Sequence, residues 1–259
     1  MALEVPMYII DANIQDDNIQ YEWDDWNQEH AEQFVDEDLA ARLSQVAPRA
    51  ILALMCGSAE WVLHRYGRMC DDSGPQDYLE AAWATVIDAR YSGRGSTTWQ
   101  DYREGWAGPI KGPISRALLR LEVAVQQLHW EFEDPIFRVK PLISLALYVI
   151  PRPKTYQKWC DRVTSRLELL YPRVPDDDFG DVVPRQALDV DQPFDPQDTE
   201  RLVNAFLSRL DPRSNQFLSP REDMLAATWE GPDEEAPPDF VQTPYLFNFE
   251  ADRLVRSEL

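Results

Sequence analysis

The chain is poor in the residues that usually mark chemistry. It has three cysteines, Cys56, Cys70 and Cys160, in 259 residues, and none lies at CxxC or CxxxC spacing. That pattern fits reduced thiols and argues against a disulfide frame or a zinc site. Its three histidines, His30, His64 and His129, are equally scattered. No GxSxG, HExxH, GxxxxGK[ST] or GxGxxG motif occurs. The longest apolar run, Leu142 to Ile150 with Ser144 inside it, is far shorter than the roughly 20 residues that a bilayer requires. The first ten residues lack the basic region of a secretory signal. The expected location is the cytoplasm, with no membrane association and no cofactor.

Positive charge is the other absence. Before Arg42 there is no lysine or arginine, although residues 1–41 hold 12 acids. Residues 42–173 carry 18 bases against 14 acids, and residues 174–259 carry 7 against 20. The net charge of −21 therefore comes from two acidic ends around a slightly basic middle. Nucleic-acid binding requires clustered Lys and Arg on phosphates, and anionic membranes require the same, so neither partner is expected. A basic protein partner is compatible with the map, and so is plain solubilisation.

What is present is apolar and aromatic: 44% hydrophobic residues and nine tryptophans, enough for a sizeable core. The spacing predicts a mainly α protein, a single-domain bundle of several helices with long acidic Pro-rich loops. Residues 1–41 form an acidic N-terminal segment, 42–173 the helical core and 174–259 an acidic, loop-rich part. Pro48 to Gly67 reads as a central buried helix and Gly74 to Gly93 as an amphipathic one. In the segment from Gly112, Ile114, Leu118, Leu121, Val125, Leu128 and Phe132 share a face. Ile136 to Ile150 fits a helix or a buried strand, because Pro141 interrupts it. Lys154 to Pro172 reads as helix, and Asp195-Pro196 opens another. Gln28 to Pro48 reads as one acidic helix with Phe34, Leu39 and Leu43 inward. The terminal stretches VPMYII and PYLFNFEADRLV are candidates for a small strand pair.

Two stretches and three acid pairs bear on chemistry. Ser92 to Thr98 is Gly-rich but lacks the lysine of a phosphate loop, and reads as a helix-ending turn. Asp211, Asn215, Ser219 and Glu222 fall at calcium-ligand positions of an EF-hand loop, yet Arg213 and Gln216 stand where a ligand and a glycine are required. Ser219 to Glu222 is more simply a capping box. The acid pairs Asp16/Asp17, Asp24/Asp25 and Asp71/Asp72 suit a metal or acid–base role only if a pocket holds them.

The remaining candidate is QYEWDDWNQ. If it were helical, Trp23 and Trp26 would share a face. Either both tryptophans pin the acidic segment to the core, or they are anchors of a docking surface ringed by Asp16, Asp17, Glu22, Asp24 and Asp25. The stretches SNQFLSPREDMLAATWEG and TPYLFNF resemble C-terminal segments of immunity proteins of bacterial polymorphic and type VI secretion toxins. The resemblance spans about a tenth of the chain. It implies a non-enzymatic inhibitor that binds and neutralises a cognate basic toxin acting in the cytoplasm, a nuclease or nucleotide-modifying enzyme. Two other readings stay open: a metal-dependent hydrolase with a carboxylate site, and a secretion adaptor or chaperone.

Overall fold

The computed structural model describes residues 4–15, 18–33, 36–92, 95–130, 136–175, 180–220 and 223–224, with backbone alone at 127–130 and 136. Among these the regular secondary structure is helical. The ten α-helices are α1 (Met7–Ala12), α2 (Glu29–Glu32), α3 (Glu37–Leu43), α4 (Pro48–Arg65), α5 (Gly74–Ile87), α6 (Trp99–Tyr102), α7 (Gly108–Trp130), α8 (Ile136–Val149), α9 (Pro153–Leu170) and α10 (Thr199–Leu207). The described residues contain no strand, only an isolated antiparallel bridge between Val46 and Pro172.

Helix α4 is the axis. Pro48 sits in its first turn, where the missing N–H costs nothing. All 18 of its residues are buried. A helix apolar on most faces is stable only if neighbours cover every side, and α5, α7, α8 and α9 surround it. One apolar cluster runs from Tyr8 to Met224. Aromatic rings form two knots within it. Tyr8, Trp61, Tyr156 and Trp159 pack at centroid separations of 5.1–6.0 Å. Tyr78, Trp99, Tyr102 and Phe217 form the second, with Trp106 against Trp99.

Polar groups on α4 decide what else must fold onto it. Glu60 is fully buried. Its carboxylate accepts the Tyr8 hydroxyl (2.5 Å), the Trp83 indole N–H (2.7 Å) and Arg185 Nε (2.5 Å). Three separate parts of the chain, α1, α5 and the turn Arg185–Leu188, thus meet on one carboxylate. A buried charge is tolerable only when paired and hydrogen-bonded in this way.

Several elements differ from the sequence expectations. The N-terminal stretch is helix α1, not a strand. Tyr8, Ile9 and Ala12 point inward at helical spacing, and Asn13 ends the helix in the left-handed region with φ 46°. The proposed partner strand near the C-terminus lies outside the described residues, as do Phe132, Pro135 and most of the short helix expected after Ser219. The expected single helix over 28–48 is two short ones, α2 and α3. The Asp36 carboxylate accepts the Leu39 N–H (2.9 Å) and so starts α3 afresh. The ambiguous segment is helix α8, with Pro141 inside it. Helix α7 begins a turn earlier than its apolar stripe suggests. Pro113 lies within it and cannot bond the Pro109 carbonyl four residues back. That carbonyl accepts the Tyr21 hydroxyl instead.

The Pro- and Asp-rich region after Tyr171 is a loop as expected, but not a loose linker. Val183, Ala187 and Leu188 are buried. Trp159 donates its indole N–H to the Leu188 carbonyl (3.2 Å), and Arg166 donates to the Asp189 carbonyl (2.8 Å).

Two outcomes follow for stability. Glu60→Ala leaves Arg185, Tyr8 and Trp83 without their acceptor, and should lower unfolding free energy by about 3–5 kcal/mol in a denaturant titration. The pH dependence should run opposite to the common pattern. Burial raises Asp77, Glu80, Glu122, Asp161 and Asp189 above the ordinary carboxylate range. Burial also pushes Glu32 up, but hydrogen bonds and charge from Arg116 and Arg120 overcome it and hold Glu32 below that range. The exposed Asp211, held by Arg213, is lowered too. An acid that binds its proton more tightly when folded adds stability as pH falls from neutral towards the carboxylate range; a lowered acid loses stability below that range. With the raised group the larger and the net charge of −21 relaxing, Tm should rise between pH 7 and 5 and fall at lower pH. Thermal melts across that interval read the sign.

Candidate functional site

Residues 18–33 lie as a strap across the helical core. Ile19, Tyr21 and Trp23 pack against the core from the outside. The Tyr21 hydroxyl meets that of Tyr66, and its ring tilts against Tyr148 at 5.5 Å. The Tyr148 hydroxyl donates to the Glu22 carbonyl (2.6 Å). At the far end Glu32 is clasped by Arg116 Nε (2.5 Å) and Nη2 (2.8 Å), and by Arg120 Nε (3.0 Å) and Nη2. The acidic segment and the basic middle of the chain are therefore partners of each other in part.

Between these ties sits the sequence-selected cluster. The Asp25 carboxylate accepts the backbone N–H of Gly108 (2.9 and 3.1 Å) and the Trp23 indole N–H (2.7 Å). It thus places negative charge at the start of the 23-residue α7, where the helix dipole favours it. The approach requires glycine twice. Gly108 has φ 83°, and a Cβ on Gly112 would collide with the Trp23 indole. The turn then folds on itself. Asp24 accepts the Trp26 N–H (2.8 Å), Gln28 donates to the Asp25 carbonyl (2.9 Å) and Glu29 N–H reaches Asn27 (3.3 Å).

The consequence is a division between the two tryptophans. Trp23 is half-buried and structural; Trp26 is 97% exposed. They do not share a helix face, because the stretch is turn and extended backbone. Glu22, Asp24 and Asp25 are exposed beside Trp26 in the chain. Asp16 and Asp17 lie outside the described residues. Of the expected docking residues, then, Asp25 and Trp23 hold the strap in place, while Glu22, Asp24 and Trp26 face outward.

A cleft of about 320 Å³ borders the strap, and nothing in sequence order marks it. It is lined by His30, Asp36, Leu39, Ile143, Tyr148 and Cys160 among others, drawn from α2, α3, α8 and α9. By residue type it holds a thiol, an imidazole and a carboxylate. Burial pushes the Cys160 thiol up to about 12, far from the thiolate that nucleophilic chemistry needs. Asp36 is occupied as the cap of α3. The cleft offers shape and polarity, not an activated nucleophile.

The other sequence candidates are structural. Asn215 of the EF-hand-like loop turns inward, donating to the Asp77 carbonyl (2.8 Å) and Glu80 (3.1 Å), and accepts the Phe217 N–H (3.0 Å). Asp211 accepts from Arg213 (2.9 Å). Glu222 lies outside the described residues, as do Gly93 and Arg94 of the Gly-rich turn. Among the described residues no group of three or more His, Cys, Asp or Glu is placed to hold a metal ion, and no helix is long and apolar enough to cross a membrane.

Separate variants distinguish the two roles. Asp25→Ala removes a helix cap and should cost about 1 kcal/mol of stability. Trp26→Ala should change stability by less than about 0.5 kcal/mol, since its ring touches solvent alone. Denaturant midpoints of the two variants check this. No family model, curated protein or solved structure matches the chain.

Proposed function

We propose that this chain is an immunity-type binding protein, which docks a basic toxin through the Trp26 turn and silences it. The observation that carries the reading is Trp26 itself. A tryptophan 97% exposed on a turn fixed by at least four hydrogen bonds has little backbone entropy to lose on binding. It offers a large apolar area where the surroundings are carboxylates. Interfaces concentrate their energy on such preorganised aromatic anchors. The acidic residues around it supply steering towards a cationic surface, speeding association and selecting against acidic partners. The resemblance of residues 214–231 and 243–249 to immunity proteins supports the class of partner, a toxin that acts on nucleic acid or nucleotides and so carries a basic groove.

The test starts from affinity capture on the tagged full chain at low and high salt, followed by reconstitution with the captured protein. The expected partner is basic and held less well at high salt. Trp26→Ala should weaken its binding at least about 30-fold, mainly through faster dissociation. Joint Glu22→Gln and Asp24→Asn should slow association and flatten its salt dependence. Co-expression should abolish the partner's toxicity; a partner that is bound but never silenced would instead mark a secretion adaptor. Capture of no partner at any salt would overturn the reading and favour an enzyme.

A further inference from the structure

A small cavity lies between α5, the turn at 183–186 and α10. Its volume is about 30 Å³, and Trp83, Ile87, Arg185, Leu202, Phe206 and Arg209 are among its walls. By this measure a water molecule needs roughly 10–15 Å³, so the space holds about two waters or one small ion. Arg185 Nε is engaged by Glu60. Arg185 Nη2 is shut off from solvent and has no hydrogen-bond partner among the described residues. A buried N–H left unmet costs about 1–3 kcal/mol, more when it belongs to a cation, and native structures rarely leave one so.

We infer that this cavity binds a small monovalent anion of halide size, held by Arg185 Nη2 and Arg209. Water would meet the N–H but not the charge. Glu60 balances the Arg185 guanidinium, and Arg209, which also interacts with Glu80, brings a second positive charge to the cavity wall. No carboxylate lines the cavity, in a chain with 46 acidic residues. The remaining walls are largely apolar, which strengthens an ion pair by lowering the local dielectric. The site is independent of the Trp26 turn and of whatever that turn binds. Its effect would be to fasten α10 and the 183–186 turn onto α5.

The experiment titrates sodium bromide into the full chain at constant ionic strength, with gluconate, too large for the cavity, as the replacement anion. Tm should rise saturably, by about 4 °C when bromide reaches twenty times its dissociation constant. Arg209→Gln alters an exposed residue and should fold normally. It should lose most of that rise, whereas Arg201→Gln, on the outer side of α10, should keep it. Crystals grown in bromide should show an anomalous peak within hydrogen-bonding reach of Arg185 Nη2. Equal melting in bromide and gluconate, or a cavity filled by water alone, would overturn the inference.

Discussion

Helix α4 has no side that faces water, and most of the architecture follows from that constraint. Eighteen residues buried on every face demand a complete jacket, which α5, α7, α8 and α9 cannot close alone while α4 carries Arg49, Glu60, His64 and Arg65. Each buried polar group recruits a remote piece of chain. Glu60 draws in Tyr8, Trp83 and Arg185. Arg65 stacks on Tyr66 and donates to the Asn18 carbonyl (2.9 Å). Burial holds the His64 imidazole towards its neutral form, the form that an apolar jacket accepts. The N-terminal strap and the loop at 180–190 are therefore not appendages but parts of the cover over one helix.

The same logic explains where the acids went. Some of the negative charge at the N-terminus is internal structure: Asp25 caps α7, Glu32 clasps two arginines and Asp36 starts α3. Of these, only Glu32 pairs with basic side chains of the middle region; Asp25 meets a backbone amide there, and Asp36 caps its own segment. What is left over, Glu22 and Asp24 beside an exposed Trp26, faces outward.

The long helices were legible in the sequence because their signal is local. Apolar spacing marks α4, α5, α7 and α9, and Pro48 and Pro75 mark two of their starts. Helix α8 was not resolved, since a short apolar run with a proline has no distinctive period. Helix α1 escaped because six residues are too few to show one. The tryptophan pair misled for a different reason. Spacing of three suggests a shared helix face, but the backbone there is set by contacts to Gly108, Pro109, Gly112 and Tyr148, more than 80 residues away. Glu60 was unreadable for the same cause: its partners lie 52, 23 and 125 residues from it.

Charge and tryptophan answer different requirements of a binding surface. Exposed carboxylates act over about 10 Å at ordinary salt, so they raise the rate of encounter but do little to keep a complex together. An exposed indole acts only on contact, and what it contributes is residence time. Neither alone makes a selective inhibitor: charge without an anchor binds many basic proteins briefly, and an anchor without charge finds its partner slowly. On the proposed reading their joint placement is economical, because Asp24 and Asp25, which would repel acidic competitors, also hold the backbone of the turn that carries Trp26. Loss of Asp25 would therefore act twice, releasing α7's first turn and freeing the geometry of the anchor.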